Sequence, residues 1–342
     1  MSGNETDVEP KSDQPPLDGL ADEPTVSVIV ATRNRPRDLA RFLKSAEELD
    51  DVGFEIVIAD QSDGDESELL CGGSPLASRI RYLRCLPRGK SNAVNHAARV
   101  ARAPILALTD DDCTPDSLWL RNAVDAFAER PYLSVLFGEF VPIEHDPGRE
   151  FVPSYRITNP QEYRTVPSAS WQSGLGGNMV VRKAAFMAVG GLDECLGPGA
   201  RFRNADDFDL HHRLVSAGYI AADIPNVIVT HWGARAWADG SAQRLLGASY
   251  FGGGAMFAKR IKCRDLRGFE ALWEQTVVLL RLSAQSRRPG GIRRLAAMYW
   301  GVLRAIPAPV DREAKLFRPR AGGQPSQSPT LAGKFESSEE WV

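Results

Sequence analysis

The chain has 342 residues, a formal net charge of −3, and is 43% hydrophobic and 25% charged. That length buries a large core, and the balanced charge excludes the strongly basic class of nucleic-acid binders. Five cysteines (Cys71, Cys85, Cys113, Cys195 and Cys263) lie far apart with no CxxC spacing, which excludes a disulfide framework or zinc site and fits a reducing cytoplasm.

Residues Met1–Pro24 are rich in Asp, Glu, Pro and Ser. They carry too little apolar surface to offset ordering entropy, so a disordered tail is expected over 1–24. The segment shows neither the basic start nor the apolar stretch of a secretory signal. Order begins at Val26–Ala31 (VSVIVA), a continuous apolar run that reads as a strand buried on both faces. Pro36 opens a helix whose Leu39, Phe42, Leu43 and Ala46 share one face. Phe54–Ala59 is a second strand, ending at Asp60, and Ile80–Leu83 a third. Ser91–Ala101 reads as a helix with Gly89 or Ser91 near its start. Ile105–Thr109 is a fourth strand that runs into Asp110, Asp111 and Asp112. A helix over Ser117–Ala128 and a strand near Ser134–Phe137 follow.

The repeated strand–helix alternation predicts an α/β fold with a mainly parallel sheet flanked by helices. Ligands of such sheets sit beyond the carboxyl ends of the strands. The residues to inspect are therefore Thr32, Arg33 and Asn34, then Asp60 and Gln61, then Asp110–Asp112.

From Phe140 to Trp171 prolines and aromatics break the pattern, and a long loop or lid is expected. Asn178–Arg182 is a strand, Lys183–Val189 a short helix stopped by Gly190 and Gly191, and Asp206–Ala217 a helix stopped by Gly218. Val227–Thr230 is a strand ending at His231. The rest, 241–317, reads as a helical extension, and 318–342 as a second disordered tail. Lys and Arg outnumber Asp and Glu by 17 to 6 over His231–Arg320. The aromatics Phe251, Phe257, Trp273, Tyr299 and Trp300 of this stretch suit packing on the α/β domain, or peripheral contact with an anionic membrane. No apolar run reaches the ~18 residues of a membrane span.

Three consecutive carboxylates at a strand end repel one another, and a divalent cation such as Mg²⁺ or Mn²⁺ relieves that repulsion. An acidic turn capping the next helix is the plain alternative. Asp206 and Asp207 fall in the first turn of their helix, either as simple dipole partners or with one of them as a general base. His231 is a candidate ligand at the end of its strand, or an ordinary packed residue.

Taken in order, VSVIVATRNRP, IVIADQSDGD, GKSNAVNHA, ILALTDDD, GGNMVVRKAAFMAVGGLDE, DDFDLHHRLVSAGY and VIVTHWG resemble family 2 glycosyltransferases of the GT-A fold, over roughly Thr25–Gly233. The resemblance implies a metal-dependent, inverting transfer of a sugar from a nucleotide-diphosphate donor to an acceptor hydroxyl. The acceptor would be a glycan, a lipid-linked molecule or a small molecule, with the catalytic domain spanning 25–240. Ala31, Thr32, Arg33 and Asn34 would line the nucleotide pocket, Asp60 would contact the nucleobase, and Lys90 and Asn95 would face the nucleotide and its phosphates. Asp110 and Asp112 match the outer residues of the Asp-X-Asp signature, with Asp111 between them on the donor. Asp110, Asp112 and His231 would hold Mn²⁺ or Mg²⁺. Asp207 matches the catalytic base, with Asp206 in place of the common Glu before it. Gly176, Gly177 and Asn178 fall where relatives contact donor sugar and acceptor, and Trp171 is placed to stack on a sugar. Gln61 stands where many members carry a second Asp, and Arg33 where many carry Tyr.

Two rivals have different signatures. A sugar-binding protein without turnover has no need of a base. A nucleotidyltransferase usually carries a Gly-rich loop after its first strand, where this chain reads ATRNRPRD. The resemblance implies a cytoplasmic protein, working at the inner face of the membrane if its acceptor is lipid-linked.

Overall fold

The computed structural model describes residues 23–86, 88–165, 174–286 and 290–318. The two expected tails, but for residues 23, 24 and 318, lie outside the described residues, as does Trp171.

The chain begins with β1 (Val26–Thr32), α1 (Pro36–Ala46), β2 (Phe54–Asp60), α2 (Glu66–Gly73), β3 (Ile80–Arg84), α3 (Lys90–Val100) and β4 (Ile105–Asp110). β3, β2, β1 and β4 lie side by side and parallel, with Thr32 in register with Asp60 and Ala31 with Asp110. Every residue of β2 is buried and β1 nearly so, because helices cover both faces. Leu39, Phe42, Leu43 and Ala46 of α1 pack under one face. Ala93, Val94, Ala97 and Ala98 of α3 cover the other. The carboxyl ends of β1 and β4 thus reach the same edge of the sheet.

Next come β5 (Cys113–Pro115), α4 (Trp119–Glu129), β6 (Leu133–Pro142), β7 (Glu150–Phe151), β8 (Glu162–Tyr163), β9 (Asn178–Arg182), α5 (Lys183–Ala188), α6 (Asp206–Ser216), β10 (Ile220–His231) and β11 (Arg235–Ala236). β9 is antiparallel to both β4 and β6, and β10 runs parallel to β6 with β5 antiparallel at its edge. The sheet is therefore mainly parallel, as expected, with β9, β5 and the short β8 reversed.

β6 and β10 are longer than the sequence suggests. Pro225 and Asn226 look like a break, because proline gives no ladder hydrogen bond. The strand passes over them instead, with a register shift between Ile224 and Ile228. Asn178 completes this irregularity: its amide donates to the Glu139 and Val227 carbonyls at 2.7 and 2.9 Å, and Trp119 Nε1 donates to its Oδ1 at 2.9 Å. Gly138 is required opposite, since a Cβ there would collide with the Val227 carbonyl.

The chain ends with α7 (Ser241–Lys262), α8 (Arg267–Ser286), α9 (Gly290–Ala305), β12 (Val310–Asp311) and β13 (Leu316–Phe317). α7 is the buried helix of this extension, with Phe251, Ala255, Met256 and Phe257 in cores shared with Phe202, Ala205 and Phe208. A buried ion network joins it to the catalytic half. Lys259 Nζ lies 2.5 Å from both Asp193 and Asp209, and Asp209 also pairs with Arg213 at 2.8 Å. Among the described residues no helix is long and apolar enough to cross a membrane.

Candidate active site

A cleft of about 420 Å³ opens at the carboxyl ends of the parallel strands, in the size range of small-molecule sites. Ala31, Thr32 and Arg33 reach it from β1, Lys90 from the start of α3, and Asp110, Asp111 and Asp112 from the end of β4. Gly176 and Gly177 enter ahead of β9, Asp206 and Asp207 from the first turn of α6, and His231 from the last residue of β10. Segments more than a hundred residues apart thus meet in one hollow.

Cations on the wall compensate the acids. Lys90 pairs with Asp110. Burial works against its charge, but Asp110, Asp206 and Asp207 raise its pKa and keep it protonated. Arg35 Nη1 donates to Asp111 Oδ1 and Asp112 Oδ2, each at 3.1 Å. Thr32 Oγ1 donates to Asp111 Oδ2 at 2.8 Å. Burial pushes Asp111 up to about 6 against the pull of Arg35. Burial also disfavours ionised Asp112, yet His231, Arg35 and Arg235 together hold it well below the usual carboxylate range. Asp111 ties β1 to β4, whereas Asp112 stays ionised at the cleft wall.

His231 is oriented for the cleft. Its Nδ1 lies 3.0 Å from the Pro153 carbonyl, which only accepts, so Nδ1 carries the proton. The ring stacks on Phe140 with centroids 4.5 Å apart. When Nε2 carries a proton it is the donor that helps to hold Asp112 ionised; when it does not, its lone pair stands 3.5 Å from Asp112 Oδ1. Two acceptors facing each other leave a place for a cation. Gly233 keeps it clear, since a Cβ there would overlap His231 Nε2 and stand 2.9 Å from Asp112 Oδ2. Donor atoms of Asp110 and Asp112 lie within 4.8 Å of each other and of Cys113 Sγ. Burial, with Asp110 and Asp112 nearby, pushes that thiol far up and keeps it protonated. The oxygen and imidazole donors therefore fit a hard divalent ion, and the thiol does not.

The acidic pair opposite is the second chemical feature. Asp207 Oδ2 accepts from the Gly176 N–H at 2.9 Å and Oδ1 from the Phe208 N–H at 2.8 Å. Burial raises its pKa, against those two donors and Lys90. Burial pushes Asp206 up to about 7, aided by the Asp207 charge and opposed by Lys90. The preceding residue, Ala205, has φ +73, a left-handed conformation that a non-glycine residue adopts at a cost. Its N–H is held by Asn204 Oδ1 at 2.7 Å, so the turn that aims the acid pair is fixed locally.

Some expected site residues lie off the cleft wall. Asp60 is fully buried and accepts from Tyr82 Oη and the Ser62 N–H, both at 2.7 Å. The next residue, Gln61, lines the cleft instead and clasps Gly89 through both ends of its amide. Asn95 braces the 192–194 turn through the Leu192 backbone and Glu194. Asn34 staples two loops together through Ser62 and Asp63. Asn178 is spent on the strand irregularity. Sequence reasoning missed Arg35 and Arg235. Arg35 directly precedes Pro36 at the start of α1, a position beside a strand end that could have marked it; Arg235 carried no signal.

The order of these strands has a counterpart in known proteins. Residues 27–190 match the family described as Glycosyl transferase family 2. That segment, 164 of the 342 residues, carries the pattern of the family. This glycosyltransferase is 25% identical over 241 residues to the N-acetylglucosaminyl-diphospho-decaprenol L-rhamnosyltransferase of Mycobacterium tuberculosis, covering 60% of this chain and 75% of that protein. Among solved structures it is similar to the mannosyltransferase PcManGT from Pyrobaculum calidifontis, solved with GDP-Man and Mn²⁺. That match has 18% identity and a TM-score of 0.56 over 88% of this chain and 90% of that one. It is also similar to S. aureus TarS 1-349 in complex with UDP-GlcNAc, at 15% identity and a TM-score of 0.54 over 81% of each chain. The chain spans 36% of the longer S. aureus TarS structure. The structural likenesses establish the GT-A fold of the glycosyltransferase.

Proposed function

We propose that this glycosyltransferase moves a sugar from a nucleoside-diphosphate donor to a hydroxyl of a lipid-linked or polymeric cell-envelope glycan, with inversion at the anomeric carbon. The observation that carries the reading is the convergence of Asp110, Asp112 and His231 on one side of a single cleft with Asp207 on another. Support for the donor class comes from the two structural neighbours, solved with GDP-Man and with UDP-GlcNAc. Support for the acceptor class comes from the mycobacterial relative, named for a decaprenyl diphosphate-linked sugar. An acceptor of that kind puts the protein in the cytoplasm, at the inner face of the membrane.

Asp110, Asp112 and His231 would hold Mn²⁺ or Mg²⁺, which when bound supplies positive charge for the departing diphosphate. Lys90 adds a fixed, buried cation beside the same acids. Asp207 takes the proton of the acceptor hydroxyl as the new C–O bond forms and the anomeric C–O bond to the diphosphate breaks. The Gly176 and Phe208 N–H groups hold its carboxylate in place, and such base catalysis is typically worth about 10²–10⁴-fold. Gly176, Gly177 and Gln61 shape the surrounding wall.

The test is a nucleotide-sugar panel with Mn²⁺ and a prenyl-diphosphate-linked acceptor, scored for nucleoside diphosphate release and for product anomer by NMR. Release of pyrophosphate, or retention of configuration, overturns the reading.

A further inference from the structure

The catalytic half of the molecule hides its large apolar side chains well; the extension does not. Of the 17 exposed large hydrophobics among the described residues, 11 lie between Leu266 and Ile306. They are ordered. Along α9 and one residue past its end, Ile292, Ala296, Tyr299, Leu303 and Ile306 recur at intervals of 4, 3, 4 and 3 residues, with Trp300 beside them. That spacing is one face of an α-helix. Ile292 is 59% exposed, Trp300 55% and Leu303 56%. The opposite face, with Met298, Gly301 and Ala305, is buried against α7.

On α8, Phe269, Trp273 and Leu280 form a second exposed stripe, with Trp273 66% exposed. The two stripes adjoin, because Thr276 Oγ1 lies 3.0 Å from Tyr299 Oη across the α8–α9 seam. The result is one broad apolar face, rich in tryptophan and tyrosine. Soluble monomers rarely leave a contiguous patch of this kind uncovered.

Charge decides what covers it. Residues 264–306 contain eight arginines and three acids; Arg287 and Arg288 lie outside the described residues, which leaves six arginines against the three acids. Arg293 and Arg304 fall at the edge of the α9 stripe, and the Arg304 guanidinium lies 5.8 Å from the Trp300 ring centroid. Arg281 follows Leu280 directly and is exposed. Glu270 and Glu274 share their side of α8 with Arg281, which lies seven residues after Glu274, so the excess positive charge of the face comes from α9. Two copies meeting through this face would bring like charges together, which disfavours self-association. An anionic lipid surface complements both features at once, taking the apolar rings at its acyl boundary and the guanidinium groups at its headgroups.

We infer that the α8–α9 face is a peripheral membrane-docking surface for an anionic bilayer, with Trp273, Trp300, Ile292 and Leu303 entering the interface. The inference rests on the transferase reading only for its biological purpose, which is to bring the cleft to a lipid-linked acceptor. Binding to lipid is measured without turnover, so failure of either reading is seen separately.

The experiment is flotation of the full chain with vesicles of phosphatidylcholine alone or with phosphatidylglycerol. Binding to anionic vesicles that is at least tenfold tighter than to neutral ones is expected, weakening as salt rises. Trp300→Glu with Leu303→Glu should cut it at least tenfold while leaving the melting temperature and nucleotide affinity unchanged. If that variant is poorly folded, quenching of the unaltered protein's tryptophan fluorescence by bromine-labelled acyl chains gives the same answer. Absence of anionic-vesicle binding, absence of quenching, or full binding by the folded variant overturns the inference. So does a dimer in sedimentation that the same variant dissolves, because a second copy would then own the face.

Discussion

The guanidinium of Arg35 lies 3.1 Å from Asp112 Oδ2, while the other oxygen of that carboxylate faces His231 Nε2 at 3.5 Å. One carboxylate is thus offered to two positive partners, a fixed arginine and the cation proposed between Asp112 and His231. Arg235 stands 4.0 Å away on the same acid. Each positive neighbour lowers the electrostatic gain from adding another. Replacing Arg35 with Met should therefore tighten binding of Mn²⁺ alone about tenfold, as read by electron paramagnetic resonance of the free ion without nucleotide. Unchanged or weaker binding would show that Arg35 does not compete at this carboxylate.

Gly233 gives the converse case. A methyl group there would overlap His231 Nε2 and crowd Asp112 Oδ2. Its φ is not in the left-handed region, so Gly233→Ala adds bulk without backbone strain. Mn²⁺ affinity should fall at least tenfold, with the metal-free protein still folded but at a somewhat lower melting temperature because the pinned His231 ring must give way. If calorimetry finds the same affinity, the ion is held elsewhere.

The acid pair on α6 divides into a base and a neighbour that tunes it. Asp207→Asn keeps the size and the Gly176 contact but removes the proton acceptor. Transfer should fall by about 10²–10⁴-fold while titrated donor affinity stays near that of the unaltered protein. Near-normal turnover would remove Asp207 from the mechanism.

Asp206 has a stability signature with a definite sign. Its folded-state pKa is raised to about 7 by burial and by Asp207, against about 3.9 in an unfolded chain. Between those values the folded protein holds a proton that the unfolded chain releases, so this contribution is full below the lower value and is lost as pH rises through the upper one. Asp206→Asn never ionises, so it should raise the melting temperature at pH 8 and much less at pH 5. A gain of equal size at both pH values would mean that charge is not its origin.

What the sequence disclosed of this site follows from strand geometry. Asp110–Asp112 and His231 were legible because each closes an apolar run, and the end of a parallel strand is where a ligand meets the sheet. Asp60 closes such a run too, yet it faces inward. Side chains alternate along a strand, so one residue decides between the cleft and the core, and the wall position went to Gln61. The length of β10 was hidden by Pro225, whose missing hydrogen bond is absorbed at a bulge and by the amide of Asn178, 47 residues upstream. Arg35 and Arg235 were illegible for another reason. Their importance depends on which acids they meet, and partners 77 and 123 positions away in the chain leave no local pattern.

Lys259 shows how the extension bears on catalysis. It is 1% exposed, and its ammonium bridges Asp193, near the end of the catalytic segment, and Asp209, one turn below the acid pair on α6. Asp193 in turn accepts from the Phe317 N–H at 2.9 Å, so β13, α7 and α6 meet at this one cation. Removing it would leave Asp193 without its cationic partner and Asp209 with Arg213 alone. Breaking a buried pair from one side typically costs about 3–5 kcal/mol, because a charge is left uncompensated in a dry interior. Lys259→Met should therefore lower unfolding stability by about that much in urea titration, far more than loss of an exposed pair such as Lys44–Glu47. Adding Asp193→Asn should recover part of the loss, since it removes one orphaned charge. If the double variant is no more stable than Lys259→Met alone, the cost lies outside the Asp193 pair, as in the lost contact of the ammonium with the Phe317 ring 5.3 Å away.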